Sequence, residues 1–187
     1  MCGNRPENIM QRRPFLAALL AAPFLAPTRP ARATQGFVFD SIDGGQYDMA
    51  DWQGQPVLVV NTASLCGFTP QYDALQQLHD TYADRGLIVL AVPSNDFAQE
   101  LGSDAEVAEF CEVNFNLTMP MTTITHVRGA SAHPFYAWLR DEVRFRPSWN
   151  FNKVLLDGEG RVVQTYNSMT DPMSRQIRRE IEPLLPR

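Results

Sequence analysis

Val57-Leu-Val-Val-Asn61-Thr-Ala-Ser-Leu-Cys66-Gly-Phe-Thr-Pro70 decides the fold of this chain. Val57 to Val60 is an apolar run of strand type, and Asn61 to Pro70 is a turn. After Pro70, Leu75, Leu78 and Tyr82 recur at helical spacing, which predicts a helix over residues 70–84. Pro70 suits the first helical turn, and Thr69 is the expected N-cap. Cys66 therefore lies between a strand and the start of a helix. Free N–H groups and a partial positive charge at a helix start favour an anion. A thiol held there tends toward thiolate, the reactive form. The reading is that Cys66 is a nucleophile. A buried cysteine filling the core is the bland alternative, and the polar, tight-turn setting of Asn61, Ser64, Gly67 and Thr69 argues against it.

Outward from this stretch, Arg85-Gly86 ends the helix and Leu87-Ile-Val-Leu-Ala-Val92 reads as a buried strand. Ser103 with Glu106 is a capping-box pair opening a helix over 104–115, with Val107, Phe110, Cys111 and Asn114 on one face. Ile124 to Val127 reads as a further strand, and His133 to Val143 as a helix. Phe151–Leu156 and Arg161–Tyr166 read as strands joined by the turn Asp157-Gly-Glu-Gly160. A last helix spans about Pro172 to Leu185, and an early hairpin pairs Phe37–Asp40 with Gln46–Asp48. The order implies one α/β domain with a central mixed sheet flanked by helices. Its strand–helix–strand start and late hairpin give a thioredoxin-like fold, with Cys66 at the active edge of the sheet.

The 187 residues carry a net charge of −5, distributed unevenly. The first 33 hold five arginines and one acid; without them the body keeps 11 basic and 20 acidic residues, a charge of −9. An acidic body argues against nucleic acid as a partner. Gln11-Arg-Arg-Pro-Phe-Leu16 resembles a twin-arginine export signal. The apolar run from Phe15 to Ala26 is about 12 residues, short of the ~20 a membrane span needs. Ala31-Arg-Ala33 offers a cleavage site. Residues 1–33 are thus expected to be a cleavable export signal, with Met10 a more usual start than Met1. Residues 34–187 form the domain, in the periplasm and without stable membrane insertion. Cleavage removes Cys2 and leaves Cys66 and Cys111, 45 positions apart.

Spacing narrows the thiol chemistry. A Cys-x-x-Cys reductase would need cysteine at Thr69. A peroxiredoxin would need threonine at Ala63 and proline at Val59. A copper-carrier Cys-x-x-x-Cys would need cysteine at Pro70. What does fit is a resemblance to the glutathione peroxidase family, in its cysteine-containing form. Val59-Val-Asn-Thr-Ala-Ser-Leu-Cys66-Gly-Phe-Thr-Pro-Gln-Tyr72 is similar to the family's first signature. Val92-Pro-Ser-Asn95-Asp-Phe97-Ala-Gln99-Glu100 is similar to the second, and Trp149-Asn150-Phe151-Asn-Lys153 to the third. The three occur in family order within residues 36–185.

The resemblance implies a thiol peroxidase acting on hydrogen peroxide and organic or lipid hydroperoxides. Cys66 would be the peroxidatic nucleophile, with Gln99, Trp149 and Asn150 completing a tetrad that supplies N–H donors. An amide and an indole donate without losing a proton near neutral pH, and such donors stabilise the oxyanion leaving the O–O bond. Cys66 would become a sulfenic acid. Cys111 falls where thioredoxin-dependent members hold a resolving cysteine. It would attack that sulfenic acid, and a cysteine in a helix must unwind to come within the ~7 Å Cα separation of a disulfide. The reductant would be a thioredoxin-like protein or glutathione, with Cys111 favouring the former. No metal, haem or flavin is implied. The short segment from Leu139 to Trp149 implies a monomer. The family's usual Asn-x-Phe-Gly-Gly-Gln-Glu-Pro loop is one residue shorter here, with Ala98 in place of the glycine pair, and Ser94 stands where a further cysteine is common.

His79, His126 and His133 share no metal-ligand spacing and read as structural or surface residues. Arg144 and Arg146 read as a solvated face, with attraction of an anionic reductant as the functional alternative. Two rivals stay open on the same fold. One is a thiol–disulfide oxidoreductase or thiol-based chaperone. The other is a peroxide sensor that passes its oxidation to a partner.

Overall fold

The computed structural model describes residues 36–186 together with Met1 and Gly3. The rest of the expected export segment lies outside them. Four strands form the central sheet: β3 (Val57–Thr62), β4 (Ile88–Pro93), β5 (Lys153–Leu156) and β6 (Val162–Tyr166), with β1 (Val38–Asp40) and β2 (Gln46–Asp48) as a separate antiparallel hairpin. The sheet order is β4-β3-β5-β6. The β3–β4 pair is parallel, with Val59 opposite Leu90. The β3–β5 and β5–β6 pairs are antiparallel, so the sheet is mixed.

The parallel pair requires a crossover, and α1 (Gln71–Tyr82) provides it. Helices α2 (Asp104–Phe115), α3 (Pro134–Glu142) and α4 (Arg175–Ile181) complete the layers. Strand side chains alternate between two cores, as a period of two dictates. Leu58, Val60, Val89, Ala91 and Leu155 join the cluster that takes Leu75 and Leu78 of α1, Val107 and Cys111 of α2, and Ile177 of α4. Val57, Val59, Leu90, Val92 and Val154 face the other way, onto Phe39 and the α3 residues Phe135 and Leu139. Because both faces are covered, β3 and β5 are buried along their whole length, which is why Val57–Val60 and Val154–Leu156 read as apolar runs.

Three expectations differ in detail. Thr69 does not cap α1: the cap is Pro70, without a side-chain hydrogen bond, and the Thr69 hydroxyl is used inside the cysteine turn. Ile124 to Val127 is not a strand. The sheet contact falls earlier, at Met121 beside Ala91 and Thr122 beside Ser41. The chain then turns away, because the Ile124 amide donates to Asp104 and the Val127 amide to Asp96. Helix α4 begins at Arg175 rather than near Pro172, since Ser174 accepts from the Ile177 amide and sets the start there. The capping box at Ser103 and Glu106 forms as expected.

Candidate active site at the end of β3

The site is built on Asn61, the penultimate residue of β3. All four of its polar atoms are committed to residues 149–152. Its amide donates to the Asn152 carbonyl at 3.2 Å, and its carbonyl accepts from the Phe151 amide at 2.6 Å. Its Nδ2 donates to the Trp149 carbonyl at 3.1 Å, and its Oδ1 accepts from the Asn152 amide at 3.2 Å. This bracket holds Phe151 at φ +59°, in the left-handed region, with its side chain fully buried. A bulky residue there is strained and persists only where its surroundings enforce it.

The turn after β3 carries Cys66 and is held from within by Thr69. Its hydroxyl donates to the Ala63 carbonyl at 2.9 Å and accepts from the Cys66 amide at 3.1 Å. The Phe68 amide donates to Cys66 Sγ at 3.4 Å, so a backbone N–H is aimed at the sulfur. Cys66 is 8% exposed, so it is shielded yet reachable, whereas Cys111 is 2% exposed inside the core of α2. Both thiols are free. Burial pushes the Cys111 thiol up to about 11, so it is protonated and unreactive where it sits.

The third piece is the loop after β4. Its Gln99 carbonyl accepts from the Leu65 amide at 2.9 Å, which joins the loop to the residue before Cys66. Glu100 adds a second tie: its buried Oε1 accepts from the Ser64 amide at 3.0 Å and the Leu101 amide at 2.8 Å. Burial raises the Glu100 pKa above the usual carboxylate value. The shortened loop closes because Ala98 takes φ +55°, the conformation glycine would supply, with its amide on the Asn95 carbonyl. Asp96 anchors the far side, on the Val127 and Arg128 amides and on His126.

These three pieces meet. Asn150 Nδ2 donates to Gln99 Oε1 at 3.0 Å. Trp149 is 41% exposed, with its ring 5.3 Å from Phe97, so it is not a core aromatic. Among the described residues, Gln99 Nε2 and Trp149 Nε1 are engaged by no protein acceptor, and the hydrogen bond reaching Sγ comes from the Phe68 backbone. The arrangement thus offers a shielded thiol with a backbone donor on one turn, and two side-chain N–H groups free to meet a ligand on the segments bonded to that turn and to Asn61. No group of three His, Cys, Asp or Glu side chains converges for a metal among the described residues. Two histidines have packing roles: His133 stacks on Phe39, and His126 meets Asp96.

Several residues of the site have roles that sequence reasoning missed. Glu100 and Asp96 act through backbone amides distant in the chain, as does Asn61, and Thr69 acts within its own turn. Lys153 is fully buried, with Nζ donating to Gln71 Oε1 at 2.6 Å and the Thr170 carbonyl at 2.7 Å. Gln71 in turn donates to the Ser168 carbonyl, and Ser168 Oγ donates to the Asn150 carbonyl at 2.6 Å. A lysine directly before an apolar strand run was the available signal, since a buried amine requires partners.

A mixed sheet with a cysteine turn between the first parallel strand and its crossover helix defines a protein of thioredoxin-like fold. In agreement, a thioredoxin-family thiol:disulfide interchange protein from Chlorobium tepidum TLS aligns with a TM-score of 0.65, at 16% identity, over 86% of this chain and all of that one. Residues 35–140 match the family model described as glutathione peroxidase. A glutathione peroxidase of Lactococcus lactis is 41% identical over 77% of this chain and 94% of its own length. A hydroperoxy fatty acid reductase of Synechocystis is 38% identical over 80% of this chain and 94% of its own. The chain belongs to the glutathione peroxidase family and is a thiol peroxidase.

Proposed function

We propose that Cys66 is the peroxidatic nucleophile and that Gln99, Trp149 and Asn150 serve it. The observation that carries this reading is the convergence of the three signatures at the C-terminal end of β3, through Asn61, Leu65 and the Asn150–Gln99 bond. The Cys66 thiolate attacks the nearer oxygen of a hydroperoxide. An S–O bond forms as the O–O bond breaks, and the leaving oxygen departs as alkoxide or hydroxide and takes up a proton. Free N–H groups on Gln99 and Trp149 stabilise that oxygen, while Asn150 fixes the Gln99 amide by holding its Oε1. Cys66 is left as a sulfenic acid.

Cys111 then resolves it: its sulfur displaces water and leaves a Cys66–Cys111 disulfide. Buried and protonated on α2, Cys111 reaches Cys66 only if residues 104–115 open locally. A dithiol protein of thioredoxin type then reduces the disulfide, in preference to glutathione. Substrates are hydrogen peroxide and organic hydroperoxides, those of fatty acids included, as the name of the Synechocystis relative suggests. The exposed side chains of Leu65 and Trp149 suit an alkyl substituent.

The mature chain is a monomer in the periplasm, exported through the twin-arginine-like segment at Gln11–Leu16 and cleaved after Ala33. Turnover of Cys66→Ser and Cys111→Ser, with thioredoxin and with glutathione, tests the cycle. The expected pattern is no activity without Cys66, and loss of thioredoxin-supported turnover without Cys111. If oxidised wild type keeps both thiols free after one equivalent of peroxide, the two-cysteine cycle is wrong.

A further inference from the structure

A cavity of about 310 Å³ lies next to the site, lined among others by Val127, Arg128, Tyr136, Arg140 and Arg146. Its link to the reacting centre is a stack of side chains. The Arg128 guanidinium lies 5.0 Å from the centre of the Phe97 ring, and that ring is 5.3 Å from Trp149. The cavity is lined by three arginines. Arg140 is held by Asp141 at 2.6 Å, but Arg128 and Arg146 form no ion pair among the described residues. The nearby Asp96 carboxylate is already occupied by the Val127 and Arg128 amides and by His126.

An independent feature points to a ligand. Tyr136 lines the cavity, is 4% exposed, and its buried hydroxyl has no hydrogen-bond partner among the described residues. A buried hydroxyl left unpaired is costly, and such groups in native structures call for an explanation. Guanidinium groups are the donors that planar carboxylates prefer.

We infer that this cavity is a carboxylate-binding subsite. It takes the acid head of an amphiphilic hydroperoxide, with the acyl chain passing Phe97 and Trp149 so that the O–O group meets Cys66. The inference rests on the proposed peroxidase reading and deepens it. A carboxylate also belongs to glutathione, and the test separates the two sources.

The measurement is kcat/KM for linoleic acid hydroperoxide and for its methyl ester, in wild type, Arg146→Gln, Arg128→Gln and Tyr136→Phe. The acid-to-ester ratio is taken within each protein, so that changes in folding or thiol reactivity cancel. A charge-assisted pair predicts a wild-type ratio of about tenfold. The ratio should fall toward one in the arginine variants and drop partway in Tyr136→Phe. If the ratio is one throughout, but the KM for glutathione rises about tenfold in the arginine variants, the subsite holds and the reductant supplies the carboxylate. If neither quantity moves, the inference is overturned. Calorimetric titration with laurate gives a readout independent of turnover. Binding by wild type and loss in Arg146→Gln would sustain the subsite even if peroxide turnover failed, and that failure would count against the peroxidase reading alone. Equal laurate affinity in both proteins would sink the subsite.

Discussion

Replacing Lys153 by Met separates what this buried amine does for stability from what it does for the site. The side chain has no exposure, and burial lowers its pKa from 10.5 to about 8. A difference of that size corresponds to about 3 kcal/mol favouring the neutral amine in the folded state. The sign follows from linkage. A folded-state pKa below the unfolded one gives stability that is present above the unfolded value and lost as pH falls through the folded one. Wild type should therefore gain up to about 3 kcal/mol between pH 7 and 10.5 that Lys153→Met does not gain.

At pH 7 the substitution removes the buried cation, and also two short hydrogen bonds, to Gln71 and to the Thr170 carbonyl. Charge-assisted bonds contribute about 1.5–3 kcal/mol each, so the two effects largely offset. The net change at pH 7 should be about 2 kcal/mol of destabilisation or less. The site should suffer more. Gln71 and Ser168 lose their anchor, and Ser168 holds the Asn150 carbonyl. Small displacements of a catalytic group cost rate steeply, so peroxide reactivity should fall about tenfold. Urea unfolding of both proteins at pH 7 and pH 10, with single-turnover peroxide consumption, makes the comparison. Parallel stability changes with pH in the two proteins would refute the linkage argument. Unchanged reactivity would refute the positioning argument.

Other consequences follow from the same geometry. Ala98→Gly should stabilise the protein by about 1 kcal/mol, because a side chain at φ +55° is strained and glycine is not; thermal unfolding would show a higher midpoint, and a lower one would contradict it. Glu100→Ala leaves the Ser64 and Leu101 amides unpaired and should cost about 2–4 kcal/mol, whereas Glu100→Gln keeps an acceptor and removes a buried charge. Because the Glu100 pKa is raised, its contribution to stability is fullest below the ordinary glutamate value. It is lost as pH rises through the folded value, so Glu100→Gln should gain on wild type over that rise in denaturant titrations. If Cys111 resolves Cys66, the amides of residues 104–115 should exchange faster in the oxidised protein than in the reduced one; equal protection would mean that α2 does not open.

Periodicity exposed the parts of this fold that follow from local pattern. The runs Val57–Val60 and Leu87–Val92 are apolar because both faces of the sheet are covered, and the Ser103–Glu106 pair marks a helix start by chemistry within four residues. Other features were invisible for a physical reason: they are bonds between positions far apart in the chain. Thr69 is a different case: its partners are near in sequence, but its hydroxyl is claimed by the fold of the turn, by Ala63 and Cys66, rather than by the helix start. Ile124–Val127 has strand composition, but Asp104 and Asp96 claim its backbone amides. The three signatures named the candidate site residues without saying how they meet. Asn61, whose every polar atom is spent on residues 149–152, is what brings Trp149 and Asn150 to the Cys66 turn. The tolerance of the shortened loop rests on one left-handed alanine, which composition does not reveal.

The role of Cys66 is tested most directly by mixing each protein with one equivalent of hydrogen peroxide in a stopped-flow instrument and following its consumption. Wild type and Cys111→Ser should both consume peroxide in a single fast phase. In Cys111→Ser, mass spectrometry should place one added oxygen on Cys66. Cys66→Ser should consume none above background. Retained fast consumption by Cys66→Ser, or oxygen found first on Cys111, would contradict the assignment of Cys66 as the nucleophile.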